Sequence, residues 1–404
     1  MKKIITKENI LHLILFLSSL NILNWFYKKY IIGSREVFWD LSVNYCAGKI
    51  YSIGNTPYGM MSNNPIAECI KNSAGLNEAF AYNYTILLAK FFSLFSFINF
   101  DDLKKYWFVI VCICVYFIFK NSKFLFAKNK NSILFLLILF FSFGGIFFQS
   151  LLTGNISIIA FTLISFSLVS LYKNNIKKFA LFIIIASLIK PHFFFYILVG
   201  FFYKGKNFYQ PFLYSSLMLL SIYIFDLIIN KEIFLDFLNT MIAMKSDAWF
   251  FSFGGGLGIV SLLEQLPSRT LSLFNIYLPS GPSIFTTIFW IISTAIILIG
   301  TFYLFIKRKV WILEKKRIFF TFSFLIITMC LPRMAFYELY ITIPAIFYLS
   351  NKFFYSSNKF LSNLGFIFLI IMFGVHDINA IFFLLSLIVF LLILFNTKKL
   401  DIKF

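Results

Sequence analysis

The residues of this chain that could do chemistry are few, and they stand where its apolar runs break. Asp40 lies in the stretch Phe38-Trp39-Asp40-Leu41-Ser42-Val43-Asn44-Tyr45, past the first hydrophobic segment, Leu11 to Phe26. A carboxylate just beyond the end of a membrane span meets hydroxyls at the water boundary, where it can serve as a general base. Lys190 and His192 flank a proline in Lys190-Pro191-His192. Arg333 follows one in Leu331-Pro332-Arg333, with Tyr337-Glu338 where the chain turns apolar again. Cations in apolar segments are costly and recruit anions, and the planar fork of an arginine suits a phosphate. Lys190, His192 and Arg333 therefore read as a phosphate site, and Glu338 as a group that pairs with Arg333 or Lys190 or orients a hydroxyl. The plainer alternatives are one long tilted helix with Lys190 paired to an acid, and an Arg333 that snorkels to the interface.

The elements that must position these groups are membrane helices. In 404 residues, 60% are hydrophobic and 13% charged, and the long apolar stretches lack the period-two alternation of a membrane barrel. The fold class expected is an all-α polytopic membrane protein. Spans are expected near residues 9–27, 106–122, 132–150, 153–172, 178–189, 191–203, 209–229, 284–305, 318–331, 335–350, 360–375 and 378–396, with 1–404 forming a single integral membrane domain. Residues 179–203 must leave a basic cluster at Lys173, Lys177 and Lys178 and return to Lys204 and Lys206. Each half then covers less than about 20 Å, short of a hydrocarbon core of about 30 Å. Pro191 ends the first half and leaves Lys190 and His192 near the outer boundary.

Charge sets the orientation. The segments placed inside by these spans hold most of the 36 Lys and Arg but just Glu8, Glu314 and Asp401 of the 16 acids. They carry essentially the whole net charge of +20, so both termini are expected in the cytoplasm. The positive balance needs no nucleic acid; topology and contact with anionic membrane lipids account for it. The segment Phe80 to Ile98 is long enough to cross but carries Lys90 and would invert this pattern, so it is expected to lie at the outer interface.

Two long insertions, residues 28–105 and 230–283, share the outer side. The second holds Asp236, Lys245, Asp247, Trp249 and the run Gly254-Gly255-Gly256-Leu257-Gly258, which lacks the Lys-Ser/Thr of a phosphate-binding loop and reads as a flexible turn. Cys112 and Cys114 lie within a span beside no His or carboxylate, so no metal site is expected. Cys46 and Cys69 share the first insertion, as free thiols or as a disulfide.

Read in order, Asp40-x-x-Val43-x-Tyr45-x-Ala47, Asn55-Thr56-Pro57-Tyr58, Gly154-Asn155, Leu188-Ile189-Lys190-Pro191 and Pro332-x-x-x-x-Tyr337-Glu338 resemble glycosyltransferase family 87. These are membrane enzymes of the GT-C fold that include polyprenol-phosphate-mannose-dependent mannosyltransferases. The likeness covers roughly residues 9–350. Asn155 stands where the family has Gln, and Tyr82-Asn83-Tyr84 replaces its usual Tyr-Pro-Pro. The resemblance implies a GT-C-type helix bundle with juxtamembrane helices on the outer face. Asp40 would be the catalytic carboxylate, Lys190, Arg333 and His192 would meet the donor phosphate, and Tyr45, Tyr58, Asn155, Tyr337 and Glu338 would contact substrate.

The expected activity is transfer of one hexose, mannose by the resemblance, from a polyprenyl-phosphate sugar donor to a hydroxyl of a lipid or glycan acceptor. One carboxylate with several cations suits direct displacement with inversion, and no cofactor or metal is implied. The place expected is the outer face of a bacterial inner membrane. A transporter or flippase of lipid-linked saccharides, and a polysaccharide polymerase, are the competing readings.

Overall fold

A computed structural model describes residues 7–32, 37–59, 64–75, 81–127, 132–244, 284–307, 316–331 and 336–374. Every regular element among them is helical. In chain order these are α1 (Lys7–Phe26, continued by a π-helical turn Tyr27–Ile32), α2 (Trp39–Ser52), α3 (Ala67–Ala74), α4 (Ile86–Ser93), α5 (Phe100–Phe126), α6 (Ser132–Thr153), α7 (Ser157–Tyr172) and α8 (Ile176–Ile189). A 3-10 helix Pro191–Leu198 leads into α9 (Val199–Lys204), and a 3-10 turn Gly205–Phe208 into α10 (Tyr209–Ile229) and α11 (Lys231–Met244). After residues 284–307 (α12, Ile284–Lys307) come α13 (Lys316–Cys330), a 3-10 helix Phe336–Thr342, α14 (Ile343–Phe354) and α15 (Lys359–Gly374).

The apolar surface marks this as a helical membrane protein. Leu13, Phe16, Leu17 and Leu20 on α1, Phe108, Val109 and Ile113 on α5, and Leu213, Leu217 and Leu220 on α10 are all exposed. Such belts would aggregate in water and are at ease against lipid. Behind them one apolar core runs from Leu11 to Phe373.

The spans differ from the expected twelve in length. Among the described residues, four helical stretches are long and apolar enough to cross: Lys7–Ile32, Phe100–Phe126, Ser132–Thr153 and Pro191–Ile229. Several others, Ser157–Tyr172 and Lys359–Gly374 among them, are shorter apolar helices. The expected span 378–396 and the glycine run with Lys245, Asp247 and Trp249 lie outside the described residues. Phe80 to Ile98 contributes one eight-residue helix, α4, about 12 Å long and unable to cross.

Two spans carry breaks. At Lys190 the backbone is extended (φ −138°, ψ 117°), as a residue before proline must be. α8 ends there, and the chain returns through the 3-10 helix and α9. The Tyr203 hydroxyl donates to the Tyr172 carbonyl at 3.2 Å and Lys204 Nζ to Asn174 Oδ1 at 2.7 Å, which closes the return at the level where α8 began. The fourteen residues of α8 rise about 21 Å. Eight 3-10 residues at about 2.0 Å each and six α residues bring the second leg to about 25 Å. Both legs exceed the sequence-based figure because α8 starts earlier and the 3-10 segment is stretched. The second break, in α6, was not expected: Ser142 is extended and Phe143, Gly144 and Gly145 are left-handed. Gly145 also sits so close to α1 that a Cβ would stand 2.9 Å from Ile22 and from Phe26.

Contacts sort the connections into two ends. At one, Lys204 meets Asn174, Arg317 meets Tyr172, Lys123 meets Ser132, and Tyr355 meets Glu8. At the other, α2 to α4 meet the ends of α6, α8 and α10 through Phe38 with Leu152, Thr85 with Leu188, and Tyr51 with Asn230. The first insertion is thus a packed cap. Asp40 to Gly48 of α2 are all buried, and a Cβ on Gly48 would stand 2.4 Å from the Phe92 carbonyl carbon of α4. A Cys46–Cys69 disulfide joins α2 to α3 across 23 positions. By the chain-entropy argument it should contribute about 3 kcal/mol. Cys46→Ser is expected to lower the midpoint of thermal unfolding in detergent by several degrees, and a matching loss on reduction of the wild type checks that the bond is the cause.

Candidate functional site

The site begins with a turn. Gly154 adopts φ +71°, and a Cβ there would stand 2.9 Å from Leu41 Cβ and 3.0 Å from a Phe38 ring carbon. Glycine alone gives both the left-handed backbone and the close approach. The turn presses α2 against the end of α6, where the Phe38 amide donates to the Leu152 carbonyl at 2.8 Å. Phe38 itself is left-handed (φ 64°), aiming the first turn of α2 inward.

Asn155 follows, 1% exposed. Its Oδ1 accepts from the Ser157 amide at 2.8 Å, so its Nδ2 faces the other way and donates to Asp40 Oδ2 at 2.6 Å. The Ser157 N–H fixes which end of the amide is which, since an N–H needs an acceptor. Asp40 is 5% exposed in the first turn of α2, where the helix dipole favours a negative charge. Its own carbonyl accepts from Asn44 Nδ2 at 2.9 Å. The carboxylate is therefore held on a buried helix by a residue 115 positions away.

Lys190 is the second element. Its Nζ stands 5.1 Å from the centroid of the Tyr84 ring, a cation–π distance. The Tyr58 hydroxyl fixes Tyr84 by donating to its carbonyl at 2.8 Å. Thr85 then caps α4 through the Leu88 amide and donates to the Leu188 carbonyl at the end of α8. α4 thus connects α2, which carries Asp40, to the tip that carries Lys190. His192 is half-buried beside Phe193, with ring centroids 4.6 Å apart.

The other expected residues divide. Tyr58 is buried, with its ring against Tyr82 and Phe237. Burial first, and then the neighbouring Tyr82 and Asp226, push its phenol well above the usual range, so it stays protonated as a donor. Tyr45 stands about 140° round α2 from Asp40; its hydroxyl donates to the Ile98 carbonyl at 2.8 Å and its ring packs on Phe100. That is an anchor for α2, away from the carboxylate. Tyr337 and Glu338 belong to the 3-10 helix Phe336–Thr342, which Tyr340 ties to Phe147 and Phe161 at ring distances of 5.0 and 5.1 Å. Their side chains, and Arg333 entirely, lie outside the described residues.

Sequence reasoning missed Asp226. It is 5% exposed near the end of α10 and accepts from Asn230 Nδ2 at 3.0 Å, while the Tyr51 hydroxyl approaches Asn230 Oδ1 at 3.4 Å. Its signal was an acid inside the apolar run Ile224-Phe225-Asp226-Leu227-Ile228-Ile229, a placement that is rarely idle. Among the described residues no group of three His, Cys, Asp or Glu is arranged to hold a metal ion.

Comparison with protein-family models, with characterised proteins and with solved structures finds no match to this chain. The class that its fold and composition define is a helical membrane protein with a buried carboxylate under a folded cap.

The Asp40–Asn155 contact makes a stability prediction. Asn155→Asp sets two carboxylates together and should destabilise by about 1–3 kcal/mol. Adding Asp40→Asn restores one donor and one acceptor, so the double variant should recover most of that loss in thermal unfolding. Additive losses would mean the two side chains are not coupled.

Proposed function

We propose that the protein is a glycosyltransferase of the GT-C type, working at the end of the bundle that carries the folded cap. It moves one hexose, mannose before others, from a polyprenyl-phosphate donor to a hydroxyl of a lipid or glycan acceptor, with inversion at the anomeric carbon. The observation that carries this reading is the Asp40–Asn155 hydrogen bond. It joins two separated parts of the family-like pattern, and it supplies one thing a general base needs: a carboxylate whose direction is fixed, with Oδ2 held by a buried donor.

In the reaction, Asp40 accepts the proton of the acceptor hydroxyl as its oxygen attacks the anomeric carbon. The bond from that carbon to the phosphate oxygen breaks, and the electron pair leaves with the polyprenyl phosphate. Lys190, with Arg333 and His192, meets the charge that gathers there. Lys190 is suited because the Tyr84 ring places its Nζ, 5.1 Å from the ring centroid, at the tip of α8. Asn155 acts by keeping Asp40 in place. The lipid tail of the donor lies against the exposed apolar helices, so donor, acceptor and membrane lipids are the partners.

The site faces the outer side of a bacterial inner membrane, and both termini face the cytoplasm. Two features support this: the basic connections gather at the opposite end, and the Cys46–Cys69 disulfide suits an oxidising compartment for α2 and α3.

The test is transfer from labelled polyprenyl-phosphate mannose by purified protein, with a crude lipid and glycan extract as acceptor. Asp40→Asn should lower turnover by about 100- to 10,000-fold, and Lys190→Ala by about 100- to 1000-fold. Sugar movement across a vesicle membrane that survives Asp40→Asn, with no new glycosidic bond, would show a transporter instead. Products lengthened by many sugars at a time would show a polymerase.

A further inference from the structure

The basic end of the bundle holds a cluster of cations that the proposed reaction does not use. Arg317, in the first turn of α13, is half-buried. Its NH2 group donates to the Tyr172 hydroxyl at 3.1 Å, and its guanidinium carbon stands 5.2 Å from the Tyr172 ring centroid. Its Nε is buried with no hydrogen-bond partner among the described residues. Tyr172 is also where two neighbouring connections converge. Its carbonyl accepts from the Tyr203 hydroxyl, and the next residues, Lys173 and Asn174, bring in Lys173 Nζ, 5.5 Å over the Phe124 ring, and Lys204, bonded to Asn174. Three segments distant in sequence thus bring Arg317, Lys173 and Lys204 to the end of α7.

Orientation in the membrane does not account for this arrangement. A topology signal requires only that lysines and arginines lie in the right loops, fully hydrated. Here an arginine is drawn partly out of water and stacked on an aromatic ring. It also stands in the first turn of a helix, where the dipole disfavours a cation. Among the described residues neither Arg317 nor Lys173 forms an ion pair. The one described carboxylate brought to this end by a hydrogen bond is Glu8, which accepts from the Tyr355 hydroxyl. A site with several donors and surplus positive charge is complete when an anion enters it.

We propose that Arg317, Lys173 and Lys204 form a binding site for the phosphate headgroup of an anionic phospholipid, between the ends of α7, α9 and α13. The source is a lipid because the same end continues into lipid-facing surface. On α8, Lys177, Leu181 and Ile185 follow one another at helical spacing and are all exposed, a basic residue at headgroup level above an apolar stripe for acyl chains. This site is independent of the glycosyl-transfer reading and lies at the opposite end from Asp40.

The experiment is native mass spectrometry of the full chain in detergent, titrated with phosphatidylglycerol, with phosphatidylcholine, and with inorganic phosphate, and paired with thermal unfolding. Wild-type protein should retain phosphatidylglycerol and melt higher with it, and phosphatidylcholine should do neither. Lys173→Gln changes an exposed side chain and so preserves the fold; it should weaken phosphatidylglycerol binding about fivefold, as expected for one surface charge. Arg317→Gln should weaken it further, and Arg317→Lys should restore part. Equal retention of both lipids, unchanged binding in Lys173→Gln and Arg317→Gln, or a thermal shift reproduced in full by inorganic phosphate would each overturn the proposal.

Discussion

A carboxylate taken out of water has to be given a donor, and Asn155 is the donor given to Asp40. The rest of the insertion end is arranged around that need. The amide can serve only if its other end is held, which the Ser157 amide does. It reaches α2 only if the chain between α6 and α7 passes close, which Gly154 allows. α2 in turn must lie flat on the ends of the long helices, and its buried face, the Gly48–Phe92 approach and the Tyr45–Ile98 bond keep it there. Each of these is a local steric or hydrogen-bonding requirement. Together they fix one oxygen pair at the edge of an apolar bundle.

Much of this was legible in the sequence where a single residue type dictates backbone geometry. Pro191 forces Lys190 to be extended, so the break at the tip of α8 could be read directly, and the recurrence of lysines before and after it required the chain to return. Gly154-Asn155 could be flagged by resemblance, but its partner could not, because nothing local links positions 40 and 155. The burial of Asp40 was illegible for a related reason. The stretch around it is mildly apolar and polar by turns, and its burial depends on surfaces supplied by α4 and α6. The α6 break was missed because Gly144-Gly145 is tolerated in a membrane helix, and only the approach of α1 makes those glycines necessary. Asp226 was passed over as one acid in a long apolar run, although in lipid that is the circumstance that makes an acid informative.

Electrostatics divides the molecule further. One end joins its segments through lysines and arginine bonded to neutral groups, Asn174, Tyr172 and Ser132. The other joins them through carboxylates bonded to amides, Asp40 with Asn155 and Asp226 with Asn230. In both cases the partner named is neutral, and a neutral hydrogen-bonding group orients a charged one without cancelling its charge. The two ion pairs among the described residues, Lys104–Asp101 and Lys105–Asp102, lie within the first turns of α5 and join no segments at all.

The unit of α8 and α9 and the unit of α13 and α14 support each other. The return leg Pro191–Leu198 with α9 packs on α13, the outgoing leg of the next unit, through the Tyr196–Thr328 hydroxyl contact at 3.0 Å and the stacked Tyr196 and Phe324 rings. Both return legs open with a 3-10 helix, Pro191–Leu198 and Phe336–Thr342. A 3-10 helix covers more height per residue but bonds less well, so it needs lateral support of this kind to persist for eight residues. The consequence is mechanical: the tip bearing Lys190 stands on a leg whose winding depends on α13. A shift of α13 along its axis would therefore reach Lys190 through Tyr196 before it reached Asp40, which is anchored on α6 and α7 instead. Asp40 and Lys190 are mounted on separate supports, and α4 is the piece that keeps them in register.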